Sequence, residues 1–281
     1  MRRVYQNFAL LVPAAALFLF AFLLPVGEVA LWSFYDEGVA TLAHYDLAFS
    51  PGPYRTILLN TVTLSIGVAL ACVLVGYPVA YYLASRPSSQ QAAFLLLILT
   101  PLWVSVLVRT YGWIVVLGRE GLVNSVLIAA GAIESPLQLL YTRQAVYIAM
   151  VQVLLPIAIL TMFSVMVTIN RSLLNAARIL GATPSRAFLH VFLPLSASGV
   201  VSAWILTFVL SLGFFITPAL VGGPRDAMIS NIIATQISET LNWGLGSALG
   251  MVLLLAGFTC VGFVAFAFRR VLRLRGEGGT R

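Results

Sequence analysis

Asn175-Ala-Ala-Arg-Ile-Leu-Gly-Ala-Thr-Pro-Ser-Arg-Ala-Phe-Leu-His-Val-Phe-Leu-Pro194 is a polar island between two long apolar segments. Its pattern predicts two short helices that meet at Gly181. Asn170 is placed to cap the first, whose opening residues are Arg171 and Ser172. Gly181 suits a helix end, because it accepts a positive φ without a Cβ clash. Thr183 reads as the cap of a second helix and Pro184 as its first residue, where a missing N–H costs nothing. Phe188, Val191 and Phe192 recur at helical spacing and give this second helix an apolar face. Pro194 is expected to end it. The whole segment covers about 25 residues, where helix connections in bundles usually take 2–8. Long ordered loops more often carry function, and a protruding pair of helices is a shape that seats in a partner.

Outward from this island the chain is almost wholly apolar. It is 60% hydrophobic and 9% charged, with a mean hydropathy of +1.00. A soluble domain carries roughly 25% charged residues, so lipid is the solvent that fits. Six segments, about 9–33, 57–84, 92–118, 144–169, 195–220 and 245–268, meet the length of about 20 apolar residues that a crossing needs. Backbone groups in lipid must pair within the segment, so these are helices. The expectation is an all-α membrane protein with six transmembrane helices in one domain, 1–281.

The positive charge is all arginine. Residues 2, 3, 86, 171, 178, 186, 269, 270, 273, 275 and 281 fall on one side of this arrangement. Arg55, Arg119, Arg143 and Arg225 fall on the other, and Arg109 lies inside a span. By the positive-inside rule the eleven face the cytoplasm. Both termini and the island at 170–194 are then cytoplasmic. Charge that follows membrane sidedness gives no support to nucleic-acid binding. Cys72 and Cys260 lie in apolar runs and read as small core residues.

The run Ala176-Ala177, Gly181-Ala182, Phe188 and Leu193-Pro194 resembles the cytoplasmic motif of ABC importer permeases, which reads Glu-Ala-Ala, three residues, Gly-Ala, then Phe, then Leu-Pro. Asn175 departs from it, standing where the family usually has Glu. The resemblance extends through Pro101, Ser105, Arg109, Thr110, Tyr111, Gly112 and Trp113, then Gly121, Leu122 and Asn124. Gly222-Gly223, Asn231, Gln236 and Trp243 continue it, and Pro25 with Ser33-Phe34 fits the first helix. These stretches look like the spermidine/putrescine-type permeases. The fold that the resemblance implies is a MetI-like type I importer core with cytoplasmic coupling helices. The implied coupling residues are Asn175, Ala176, Ala177, Arg178, Gly181, Ala182, Thr183, Phe188 and Pro194, which would touch an ATPase subunit.

For the translocation pathway, the residues singled out are Arg109, Tyr111, Trp113, Phe214, Phe215, Thr217 and Asn231. Arg109 is costly in mid-span and calls for an interior position or for snorkelling. Aromatic faces attract amine cations, which makes Tyr111, Trp113, Phe214 and Phe215 candidates. Gly213 and Pro218 interrupt the fifth span, and interrupted helices often border transporter sites. Asn60, Thr61 and Thr63 offer further polar contacts.

The sequence has no G-x-x-x-x-G-K-[ST] run, and no Cys/His cluster with metal spacing. No catalytic residues and no metal site are expected. ATP and Mg would sit on partner subunits, with no cofactor in this chain. The expected function is the permease subunit of an ATP-driven importer in the bacterial inner membrane, moving a polyamine or related amine. The expected partners are a second permease forming a heterodimer, two ATPase subunits, an extracytoplasmic binding protein and the bilayer. The alternative is an autonomous secondary carrier or an intramembrane enzyme. It calls for intramembrane ion pairs, repeats or a catalytic cluster, and the sequence does not display them.

Overall fold

A computed structural model describes residues 12–36 and 38–277, with the backbone alone for 271–277. Arg2, Arg3, Glu37, Arg281, the first residues 9–11 of the first expected span and the side chains of Arg273 and Arg275 lie outside what is described. The regular structure of the described residues is helical apart from a two-stranded hairpin, β1 (Tyr35–Asp36) and β2 (Val39–Ala40), paired antiparallel. The helices are α1 (Val12–Trp32), α2 (Ala43–Phe49), α3 (Pro53–Ala84), α4 (Ser88–Leu99), α5 (Val106–Leu117) and α6 (Leu122–Ala129). They continue as α7 (Arg143–Met166), α8 (Ser172–Ile179), α9 (Pro184–Leu212), α10 (Ile216–Val221), α11 (Ile229–Ser238) and α12 (Trp243–Glu277). Among the described residues, six helical stretches are long and apolar enough to cross a membrane: Val12–Trp32, Pro53–Ala84, Val106–Ala129, Arg143–Met166, Pro184–Leu212 and Trp243–Arg270.

Two of these differ from the expected bounds. The third was expected at 92–118. Instead α4 stops at Leu99, a 3-10 turn with Pro101 follows, and Val104 and Ser105 are extended, with ψ 133° and 141°. Helix restarts at Val106, and the long apolar stretch runs on to Ala129 across a tight turn at Gly118–Gly121. A Cβ on Gly121 would collide with the carbonyl oxygens of Val115 and Val116, so only glycine fits there. The fifth was expected to begin after a helix ended at Pro194. Instead α9 runs unbroken from Pro184, because Phe188–Phe192 forms a π turn. The Leu193 N–H reaches back to the Phe188 carbonyl, five residues away. That wider turn makes room for the Pro194 ring, which would otherwise strike the carbonyl four residues back. The same device occurs in α1. There Leu24 bonds to the Leu19 carbonyl and Pro25 follows.

The chain divides into two compact units. One holds the described residues up to Leu58 together with Ile229–Ala256. Its core gathers Ala48, Ile229, Leu245, Leu249 and Val252, packed with Tyr45 and Tyr54. Nearly all of α1 is exposed and apolar on every side, as a helix in contact with lipid would be.

The other unit holds 59–228 and the described residues from Gly257 onward. Its core joins α3, α7 and α9 through Leu64, Val68, Cys72, Met150, Leu154, Met162, Phe192 and Ala203. Glycines let these helices approach closely. Gly76 of α3 faces Met162 and Ile159, and Gly199 of α9 faces Val165. Tyr77 Oη and Ser196 Oγ, 2.9 Å apart, tie α3 to α9.

The loops that follow α6 and α10 in this unit are held by side chains rather than by regular structure. Asn124, fully buried in α6, donates to the Gly118 and Leu137 carbonyls, both at 3.0 Å. Its Oδ1 accepts from the Leu137 N–H at 2.8 Å. Replacing Asn124 by Ala leaves these backbone groups unpaired. The expected cost is about 2–4 kcal/mol, read as a lowered unfolding temperature of the purified protein. An unchanged transition would mean that the loop is held otherwise. Asn60, expected only as an offered polar contact, donates to the carbonyls of Arg225 and Ala227 at 3.3 and 3.4 Å. Thr63 Oγ1 accepts from Arg143 at 3.3 Å.

Candidate functional site

The island at 170–194 folds as its local chemistry dictates. Asn170 Oδ1 accepts from the Ser172 N–H at 3.0 Å, so the first turn of α8 is capped. At the other end Gly181 takes φ +90°. The Ala182 N–H bonds to the Ala177 carbonyl and the Gly181 N–H to the Arg178 carbonyl, both at 3.0 Å. This six-to-one and five-to-two pair closes the helix in a Schellman motif. Two residues later Thr183 Oγ1 accepts from the Arg186 N–H at 3.4 Å and Pro184 opens α9. The chain therefore reverses within Gly181–Thr183, and α8 projects beside the entry of α9.

This knob is anchored on one side and bare on the other. Phe188 and Phe192 interlock with Tyr77 and Tyr81 of α3 at ring distances of 4.8–6.2 Å. Arg171 donates to the carbonyl of Ala84, the last residue of α3, a favourable place for a cation at a helix end. Asn175 and Arg178 line a narrow cleft with Tyr81, Ser85, Arg171, Leu174 and Phe192. Ala176 is exposed, and Ala177 and Ala182 are half-buried. At the tip Ile179 and Leu180 are 86% and 88% exposed. Among the large apolar side chains of the described residues, none is more exposed.

The pathway candidates scatter. Trp113 packs beside Leu117, Ala145 and Val221, and its indole N–H points to Gln152 Oε1 at 3.5 Å. With Gly67, Ala71, Tyr147, Val151 and Leu155 it lines an open concavity of about 650 Å³. Tyr147 and Gln152 were not singled out from the sequence. A tyrosine and a glutamine in an apolar helix give only a faint signal until α3, α5 and α7 bring them together. Arg109 is half-buried on α5, and its Nε and Nη1 are buried with no hydrogen-bond partner. Tyr111 and Phe215 are 57% and 47% exposed. Phe214 packs on the α3–α7–α9 core. Thr217, in contrast, is fully buried, with its hydroxyl 3.1 Å from that of Thr110. That pair fastens α10 to α5, so Thr217 packs between helices. The break before α10 is at Gly213–Phe215. Asn231 lies half-buried on α11, in the other unit. Among the described residues no cluster of three or more His, Cys, Asp or Glu could hold a metal.

Residues 73–275 match the family described as binding-protein-dependent transport system inner membrane component. The chain is 30% identical over 236 residues to the spermidine/putrescine transport system permease protein PotB of Escherichia coli strain K12, covering 84% of each chain. It is 33% identical over 218 residues to the PotB of Haemophilus influenzae, covering 77% of this chain and 76% of that one. In fold it is similar to a chain in the crystal structure of a bacterial alginate ABC transporter in complex with its alginate pentasaccharide-bound periplasmic protein. The TM-score there is 0.77 at 19% identity, with 96% of both chains covered.

Proposed function

The chain belongs to the binding-protein-dependent inner membrane transport components, and from that membership we propose how it couples, what it carries and with what it assembles. It is a non-catalytic permease subunit of an ATP-driven importer, spanning the inner membrane several times. In the assembly we propose, it pairs with a second, different permease chain, two ATPase subunits and an extracytoplasmic binding protein. ATP and Mg belong to the ATPases. Both termini and the α8–α9 knob face the cytoplasm, in line with the arginine distribution.

The observation that carries this reading is the Gly181-hinged knob. It holds a defined backbone, is fixed to α3 where Phe188 and Phe192 of α9 pack on Tyr77 and Tyr81, and leaves its apolar tip uncovered. A rigid lever with a bare end transmits motion from whatever covers it. ATP binding draws the ATPases together and with them the knobs, which opens the cavity outward. Hydrolysis resets it. To move such a two-state equilibrium from 1:99 to 99:1, nucleotide must favour one state by ~5.5 kcal/mol.

The cargo is an amine cation of the polyamine class. Support comes from the named relatives and from the Trp113–Tyr147 concavity, which offers aromatic faces to ammonium groups. Trp113→Ala is expected to lower spermidine uptake by about 3–30-fold, the equivalent of ~0.7–2 kcal/mol for a cation over an aromatic ring, without changing ATPase association.

The test of the whole reading is reconstitution. The chain, its partner permease and the ATPase are placed in liposomes with the binding protein and radiolabelled spermidine. Uptake should require ATP and every subunit. Uptake by this chain alone, without ATP, would make it a carrier and end the importer reading.

A further inference from the structure

We propose that the knob docks in a socket whose apolar floor is rimmed by carboxylates, and that Arg178 and Arg186 are the groups those carboxylates hold. The inference rests on the importer reading above and deepens it by stating the chemistry of the ATPase surface that covers the knob.

Three observations converge. First, the tip is apolar and bare: Ile179 and Leu180 are 86% and 88% exposed, and Leu189 nearby is 52% exposed. Second, the charge around that tip has one sign. Arg171, Arg178 and Arg186 are the ionised groups of the knob, and no Asp or Glu lies anywhere between Glu134 and Asp226. In the proposed topology Arg86, Arg269 and Arg270 share this face, and Glu277 is its one carboxylate. The knob therefore has no acid of its own to pair with. Third, the arginines are not equivalent. Arg171 is committed to the Ala84 carbonyl at the end of α3. Arg178 and Arg186 are exposed. Arg178 sits one residue before the apolar tip, and Arg186 lies in the first turn of α9, across the Gly181–Thr183 reversal.

A surface that removes Ile179 and Leu180 from water also desolvates these two guanidinium groups. Burying them unpaired would cost more than burying the tip gains. The covering surface must therefore bring carboxylates, and bidentate arginine–carboxylate pairing suits both sites. Complementary charge of this kind sets partner choice and speeds encounter. Position 175 fits the same picture. A neutral asparagine lines the cleft beside Arg171 and Arg178, so the knob's charge toward its partner stays positive throughout.

The chain contains no lysine, which makes a direct experiment available. In the assembled importer in nanodiscs, Arg178→Lys introduces the chain's single side-chain amine. Zero-length carbodiimide coupling should then join it to an Asp or Glu of the ATPase, read by mass spectrometry of the joined peptides. Alongside, association of purified ATPase with the permease pair is measured as salt rises from ~50 to ~500 mM, where screening becomes strong. The double variant Arg178→Glu with Arg186→Glu should bind the ATPase at least about 10-fold more weakly, a loss of ~1.4 kcal/mol. Its lysine counterpart should bind within about 3-fold of the parent chain. Coupling to the ATPase together with salt-sensitive binding supports the proposal.

If the glutamate double variant binds normally while Ile179→Ser with Leu180→Ser does not, the socket is apolar only. The proposal then falls and the ATPase reading stands. If neither pair of changes affects ATPase association, both fall. If the effect of the glutamate variant follows the anionic lipid content of the nanodisc and not the ATPase, the partner of these arginines is the headgroup layer, and the proposal is overturned.

Discussion

Gly181→Val should cut ATP-driven transport by at least about 10-fold while the assembled complex continues to hydrolyse ATP. The reasoning is purely conformational. Gly181 holds φ +90°, and no atom lies within 4 Å of where a Cβ would stand. A side chain there meets no neighbour; it meets only the left-handed backbone penalty. For an L-residue this is ~1–2 kcal/mol, and it is heaviest for a β-branched one. The chain escapes the penalty by rotating Gly181 out of that region. The two Schellman bonds, from Ala182 to Ala177 and from Gly181 to Arg178, then open. The Thr183 cap loses its place relative to α8, and Ile179 and Leu180 turn away from the position in which a partner receives them. A difference of 1.4 kcal/mol is already tenfold in a coupling equilibrium. Three variants separate conformation from bulk. Asn tolerates the left-handed region better than other side chains, so Gly181→Asn should retain the most transport, Gly181→Ala less and Gly181→Val least. Uptake per ATP hydrolysed in proteoliposomes reads this directly. Normal coupling in Gly181→Val, or equal damage in Asn and Val, would show that the left-handed turn is not the hinge. Asn175→Glu leaves this backbone untouched and is expected to be tolerated in coupling; the carboxylate it adds beside Arg171 and Arg178 should weaken ATPase association only.

The hinge was legible because its chemistry is local. Asn170, Gly181, Thr183 and Pro184 act within a few residues of themselves, and cap rules need nothing more. The number of spans was legible for a similar reason, since apolar length is counted along the chain. Where the structure departs from expectation, the cause is long-range or subtle. The apolar run expected at 92–118 carries no hydropathy signal at the break near Val104. The chain turns at Gly118–Gly121 because Asn124 reaches across to Leu137. Pro194 looked like a stop, and a π turn made it a passage. Pro25 shows that this accommodation is repeated in the chain. Among the pathway candidates, Thr217 meets Thr110 across 107 positions of sequence, which no local pattern announces. Trp113 found Gln152 in the same way. Polar residues in apolar helices mark positions of interest but do not say which way they point.

Gly199→Leu should prevent stable folding of the α7–α9 pair, with an expected loss of at least ~3 kcal/mol, beyond the usual cost of one overpacked core site. Gly199 lies in α9 where the helix crosses α7. Even a single Cβ would stand 2.9 Å from Val165 Cβ, 3.2 Å from Val165 Cγ2 and 3.4 Å from the Met162 carbonyl oxygen. The first obstacle is a branched carbon next to the backbone, and the third is backbone itself. Neither can swing aside. Gly76 of α3 supplies the contrast. Its nearest obstacle, at 2.9 Å, is the terminal methyl of Met162, the far end of a flexible side chain. Gly76→Ala should therefore cost clearly less than Gly199→Ala, although the clearance is the same. The two changes, compared by thermal unfolding in one detergent, test whether rigidity of the neighbour or mere distance governs the cost. The cause can be isolated by restoring space. Val165→Ala removes the Cγ atoms, and Val165→Gly removes the Cβ as well, so combining either with Gly199→Ala should recover part of the lost stability, the glycine more than the alanine at the contact itself. Failure of both to rescue would mean that the damage arises elsewhere on α9. Function follows from the same contact, because α8 is strung between the end of α7 and the start of α9. If that pair is loosened, motion delivered to the knob is absorbed at the crossing and does not reach the far half of the helices. Gly199→Ala should then lose transport more than it loses ATPase association, and Val165→Gly should return both.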